Sequence, residues 1–121
     1  MANPNIVNVT TINGQTAAAA LLTTQQIIVQ NADASGKIYK INTILVANKD
    51  GSSAADVTVN FNDGATSTNF AIASTISVPA DASIVLIDKN SSFYLTENTS
   101  IEAFASASGD LDIIVSYEEI S

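Results

Sequence analysis

The sequence predicts an all-β domain, a single β-sandwich of jelly-roll or Ig-like type with about eight to nine antiparallel strands. Three observations predict it. Apolar residues alternate with a period of two over short runs, those runs are rich in Val, Ile, Thr and aromatics, and small clusters of Gly, Asn, Asp, Ser and Pro separate them.

In chain order, Ile6 to Ile12 is the first expected strand, closed by Asn13-Gly14, a hairpin-type dipeptide that tolerates the positive φ of a tight turn. Thr16 to Leu22 holds four consecutive alanines, the best helix formers, but six or seven residues cannot carry an isolated helix. The segment is therefore expected as a strand or an irregular edge. Gln25 to Gln30 follows, and after Ser35-Gly36 comes Lys37 to Ala47, in which Tyr39 is in phase with Ile41 and Leu45. Asp50-Gly51 and Asp63-Gly64 bracket a strand carrying Val57, Val59 and Phe61 on one face. Phe70, Ile72, Ile76 and Val78 mark the next, ended by Pro79-Ala80-Asp81. Ser83 to Asp88, a short Phe93 to Leu95 after Lys89-Asn90-Ser91, and Ser100 to Ala105 come next. Beyond Ser108-Gly109-Asp110, a last strand alternates Leu111, Ile113, Val115 and Tyr117.

A chain of 121 residues suits one domain spanning 1–121 and can bury a sufficient core. Its first eight residues, with Pro4 and three asparagines, could form an extended arm or simply fray. With 46% hydrophobic and 13% charged residues it lies far from disordered compositions. Cysteine is absent, so neither disulfides nor thiolate metal sites are available. Met1 leads into Ala2-Asn3-Pro4-Asn5 without a secretory pattern, and no apolar run approaches the ~18 residues of a membrane span. A soluble protein made in the cytoplasm, without membrane partners, is expected.

Four lysines and no arginine face twelve carboxylates, a net charge of −8, which disfavours nucleic acid because phosphate binding requires cations. Without histidine or cysteine, the Ser-His-Asp, Cys-His and imidazole-metal arrangements are all excluded. The formal carboxylate pairs Glu97 with Glu102 and Glu118 with Glu119 sit near turns or the terminus, and no tryptophan is present to stack on a sugar. Asp110 and Asp112 share one strand face if the alternation holds through Leu111, and with Asp63 or Asp81 nearby could gather calcium, but no segment has the Gly-punctuated carboxylate loop that ends in a bidentate glutamate. Asn8-Val9-Thr10, Asn90-Ser91-Ser92 and Asn98-Thr99-Ser100 match the glycosylation pattern by chance composition. No catalytic residue, cofactor or metal site is expected, and the chain reads as a non-enzyme.

Four runs are apolar on both strand faces: Ile27-Ile28-Val29, Ile44-Leu45-Val46, Ile84-Val85-Leu86-Ile87 and Ile113-Ile114-Val115. A monomeric antiparallel sandwich usually shows one polar face, so something must cover the second; a bulge, a loop, the arm or another subunit could do so. Phe93-Tyr94 poses the same question, since successive strand residues point to opposite faces. So does Ile38, on the face of Lys40 and Asn42 opposite Tyr39. The interface candidates are therefore Ile38, Tyr39, Ile44, Val46, Ile84, Phe93, Tyr94 and Ile114.

Gly36-Lys37-Ile38-Tyr39-Lys40-Ile41-Asn42-Thr43-Ile44, Val46-Ala47-Asn48-Lys49-Asp50-Gly51 and Ala55-Asp56-Val57-Thr58-Val59 are one set of local patterns. Ile76-Ser77-Val78-Pro79-Ala80-Asp81-Ala82-Ser83, Phe93-Tyr94-Leu95-Thr96-Glu97 and Val115-Ser116-Tyr117-Glu118-Glu119-Ile120-Ser121 are another. Together they resemble small virion structural proteins of tailed phages infecting marine cyanobacteria, over nearly the whole chain. The resemblance implies a head decoration or cement protein on the outer capsid surface, with the major capsid protein and its own copies, a trimer first, as partners. Tail, collar or fibre placement is the runner-up, and a carbohydrate-binding sandwich using Tyr39, Tyr94 and Tyr117 is the alternative from another class. No catalytic residues carry over.

Overall fold

Nine strands form among the residues that the computed structural model describes, 5–121. They are β1 (Ile12–Ala20), β2 (Gln26–Asn31), β3 (Ile38–Asn48), β4 (Ala55–Asp63), β5 (Thr68–Val78), β6 (Ser83–Ile87), β7 (Phe93–Leu95), β8 (Thr99–Ala105) and β9 (Leu111–Ile120). Their pairing is nested and antiparallel: β1 with β9, β2 with β8, β3 with β6 and β7, β4 with β5. Such a chain is one long ribbon folded at the β4–β5 hairpin. Rolling the ribbon up adds the β3–β9 and β4–β8 ladders and splits it into two sheets. One has the order β1-β9-β3-β6, with β7 also on β3, and the other β2-β8-β4-β5. Of the two expected sandwich types, this order is the jelly roll.

The core lies between the sheets. Ile41, Ile44 and Val46 of β3 with Leu111, Ile113 and Val115 of β9 meet Val57 and Val59 of β4 and Ile101, Ala103 and Ala105 of β8. The period-two reading of β4 and β9 holds, with Phe61 and Tyr117 half-buried at the ends of their rows.

Two buried asparagines clamp the sheets together. Asn31, which ends β2, donates through Nδ2 to the carbonyls of Lys37 and of Leu95 in the other sheet, both at 2.9 Å. Asn48, which ends β3, donates to Ser53 at 2.9 Å and across the sandwich to Val78 at 3.0 Å.

Several expectations need correction. Ile6 to Asn8 is a 3-10 turn because the Asn5 side chain accepts the Val7 amide at 3.0 Å, a local bond that competes with strand geometry. Pairing along β9 starts only near Thr10 and Thr11, whose amides donate to the Ser121 carbonyl. Of the expected arm, residues 1–4 lie outside the described residues. Asn13-Gly14 lies inside β1 opposite Glu119 and Glu118, since among the described residues no strand precedes it to pair with β1. The alanine segment is, as expected, a strand.

Two phases also shift. The β3–β9 register slips between Ile41 and Thr43, so Tyr39 and Ile41 are in phase with Ile44 and Val46 while Leu45 turns outward. In β5 the register against β4 shifts twice, and Thr75 adopts φ 48°, a left-handed conformation costly for a β-branched residue. Strict alternation ends there, and Phe70 and Ile76, although opposite Phe61 and Val57, are exposed on this edge strand.

Candidate assembly surface

The outward side of the β1-β9-β3-β6 sheet is built by register. Ala18 of β1 stands opposite Ile114 of β9, Ile114 opposite Leu45 of β3, and Leu45 opposite Val85 of β6. One apolar row therefore crosses all four strands. Val85 is 61% exposed and Ile114 38%, too open for a core role and too contiguous for scattered surface apolars. Three of the four doubly apolar runs supply this row. Each turns its flanking members inward, as Ile44 and Val46, Ile113 and Val115, and Ile84 do, and its middle member out.

Small polar residues border the row on one side, where Thr16, Ser116 and Thr43 align, and Ala20, Asp112, Ala47 and Ser83 align on the other. Further along the sheet Gly14, Glu118, Lys40 and Tyr94 form a row, with Tyr94 43% exposed. Two of the three carboxylates of β9 pair with a lysine, and the third stands across from one. Lys49 Nζ lies 3.1 Å from Asp112 Oδ1, Lys37 Nζ 2.7 Å from Glu119 Oε1, and Lys40 stands across from Glu118. Pairs this open to water add little stability, but the three lysines offset the three carboxylates of β9 in a chain of net charge −8.

The interface candidates divide. Ile44 and Val46 are fully buried in the core and Ile38 is 7% exposed, so none of the three offers a side chain to a partner. Ile84 and Phe93 are half-buried and pack on the core, Phe93 meeting Phe61 edge-on across the sandwich at 6.3 Å. Tyr94 points the other way, as alternation in β7 requires, and Tyr94 and Ile114 lie on the outward surface. Leu45 and Val85 were missed: they belong to runs that drew attention, but the bulge at Asn42 decides which member faces out.

Tyr39 and Tyr117 stack with centroids 5.2 Å apart at 30°. Burial pushes both phenols above the ordinary tyrosine value. The Glu119 charge adds to it for both, the neighbouring phenol raises Tyr117 further, and Lys37 opposes it at Tyr39. Glu119 in turn holds Lys37 above its usual value, first through its hydrogen bond and then through its charge. A phenol with a raised folded pKa contributes stability below the unfolded value, about 10, that is lost as pH climbs through the folded one. In a Tyr94→Phe background, phenolate absorbance should therefore titrate above free tyrosine, and Glu119→Gln should bring the midpoint down. An unshifted midpoint in both proteins would contradict the buried stack.

The carboxylate candidates have structural partners. Glu97 Oε2 accepts the Gly36 amide at 2.7 Å, and Glu102 accepts from Ser100 Oγ at 3.1 Å and from the Gln25 side chain. Glu118 accepts from Asn42 at 3.1 Å, whereas Glu119, next along β9, faces the opposite side. Asp63 accepts the Ala65 amide within its own turn, and no group of three or more acidic side chains among the described residues could hold a metal ion.

No protein-family model matches this chain, and no curated protein matches it. Among solved structures it is similar to a protein from Bacillus endospore appendages, described as forming a novel family of disulfide-linked pili. The TM-score is 0.53 at 18% sequence identity, covering 98% of this chain and 95% of that one. At that identity the likeness shows a shared all-β sandwich fold. The disulfides named for those pili have no counterpart here, where cysteine is absent.

Proposed function

We propose that this chain is a non-catalytic structural subunit of an assembled particle. The observation that carries the reading is the apolar row from Ala18 through Ile114 and Leu45 to Val85, displayed on a sheet whose charges are balanced. An acidic chain meets a partner at least electrostatic cost where its carboxylates already have counter-charges. In its finer form the proposal is a phage head decoration protein that binds the outer capsid surface and stabilises it, with the major capsid protein as partner. The pattern resemblance to virion proteins supports that form.

The test is cryo-electron microscopy of particles with and without the protein, together with an Ile114→Asp, Val85→Asp variant. Wild-type protein should decorate the shell and raise its melting temperature. The variant, folded because both positions are open, should occupy at least tenfold fewer sites, since losing an interface anchor costs about 2 kcal/mol or more. Equal occupancy by the variant would remove the apolar row from the contact, and density confined to the tail would replace the head assignment. A second reading, a subunit of a surface appendage, is favoured by the fold likeness to the endospore appendage protein over nearly the whole of both chains. Filaments formed by the purified chain alone would select it.

A further inference from the structure

Four edges border the two sheets: β1 and the β6/β7 side of one, β2 and β5 of the other. An open edge is a template for another chain, and folded proteins guard it with bulges, short strands, charges or proline. Three of these edges are guarded. β2 slips register between Ile27 and Val29, and β5 slips twice and holds Thr75 at φ 48°. The β6/β7 side is cut into strands of five and three residues by the 3-10 turn Lys89–Ser91, which adds a lysine.

β1 has none of these devices. Its nine residues pair with β9 in unbroken register from Ile12 opposite Ile120 to Ala20 opposite Asp112. It carries no charge and no proline, and Ile12 to Thr16 are all exposed.

Resting on the assembly reading above, we infer that β1 pairs with β1 of a second copy, antiparallel about a two-fold axis at Thr16. The sequence of the strand fits that occupant. Ile12-Asn13-Gly14-Gln15 precede Thr16 and four alanines follow it, so the two-fold sets Ile12 against Ala20, Asn13 against Ala19, Gly14 against Ala18 and Gln15 against Ala17. A side chain larger than alanine therefore meets alanine at every pair except Gly14 with Ala18 and the central Thr16 pair, so no two bulky side chains oppose each other, and the central Thr–Thr pair is a favourable one. No carboxylate enters the new ladder, and of those of β9, one strand back, Asp112 and Glu119 pair with lysines while Glu118 stands across from Lys40. Five strands from each copy then form one continuous sheet, with both outward faces on the same side. The two apolar rows share that broad face, offset by the four residues between Gly14 and Ala18. The smallest closed unit is a dimer, in place of the trimer that the virion resemblance implies.

The absence of cysteine permits a register test. Directly opposed residues of an antiparallel pair lie ~4.5–5.5 Å apart between Cα atoms, within disulfide reach. Thr16→Cys should therefore oxidise to a covalent dimer. Asn13→Cys should not do so alone, but it should cross-link when mixed with Ala19→Cys. By sedimentation equilibrium the wild-type protein should reach twice the 12.5 kDa of one chain. Thr16→Lys, which sets two ammonium groups face to face, should return it to one. A monomeric wild type, or an oligomer that cross-links no better at Thr16 than at Asn13 and ignores Thr16→Lys, would overturn the pairing. The particle-binding experiment reads the assembly reading independently of either result.

Discussion

Gly64→Ala is expected to cost about 2–3 kcal/mol of stability, the upper part of the ~1–3 kcal/mol typical of overpacking, although it adds one methyl group at a surface turn. The Gly64 amide donates to the Asn98 carbonyl at 2.8 Å, which brings the β4–β5 turn against the turn before β8. A Cβ on Gly64 would sit 2.6 Å from that same carbonyl oxygen and nearer still to the Asn98 side-chain oxygen. The side chain can swing away; the backbone oxygen cannot. Asn98 is held at φ 63°, and its amide donates to the Asn31 carbonyl at 2.9 Å. Relief must therefore come from parting the two turns. Gly14→Ala is the matched control, since nothing lies within 4 Å of the added carbon. Urea unfolding should show a clear drop in midpoint for Gly64→Ala and almost none for Gly14→Ala. Equal midpoints would mean that the turns separate without cost.

Asp63-Gly64 was legible as a hairpin dipeptide, but not as a contact with Asn98, which is 34 positions away by number. The same limit runs through the fold. Strands β4 and β9 are legible because every second residue, Val57, Val59 and Phe61 or Leu111, Ile113, Val115 and Tyr117, is apolar without a break in phase. In β3 and β5 the alternation is broken by bulges, and a one-residue slip moves every later side chain to the other face. Unbroken alternation thus puts Leu45 in phase with Tyr39 and offers Ile44 and Val46 to a partner, although both are buried. The nested pairing that separates a jelly roll from other sandwiches joins residues as far apart as Ile12 and Ile120, and no local pattern encodes it.

The surface was legible in kind and not in detail. Doubly apolar runs announced that a face was left over, because a β-strand has only two sides and a two-layer sandwich buries one of them. Which residue of each run faces out depends on the bulge at Asn42 and on the slip opposite Leu86. The bare edge of β1 was obscured by Asn13-Gly14, whose turn chemistry reads as a strand end when its neighbours are unknown.

Asn48→Ala is expected to cost about 3 kcal/mol, because it strips a partner from a buried carbonyl, Val78, and from two part-buried groups at once. Asn48 is 3% exposed; its Nδ2 serves two carbonyls, Ser53 and Val78, and its Oδ1 accepts the Asp50 amide at 2.9 Å. These bonds fix the end of β3 to the start of the next connection and to the last residue of β5 in the facing sheet. Asn48→Asp separates this polar role from simple packing, since it keeps the shape and the acceptor but loses both donors. At neutral pH a carboxylate would then face two carbonyl oxygens, so the variant should be less stable than Asn48→Ala. Burial among acceptors raises the folded pKa of that carboxyl above its unfolded value. Protonation therefore favours the folded state, and the deficit should shrink as pH falls through the folded pKa, where the acid regains one donor. Urea unfolding of wild type, Asn48→Ala and Asn48→Asp at pH 7 and pH 4 reads the difference. If Asn48→Asp matched wild type at pH 7, or if its deficit relative to wild type were the same at both pH values, the side-chain amide would not be what clamps the two sheets at this end.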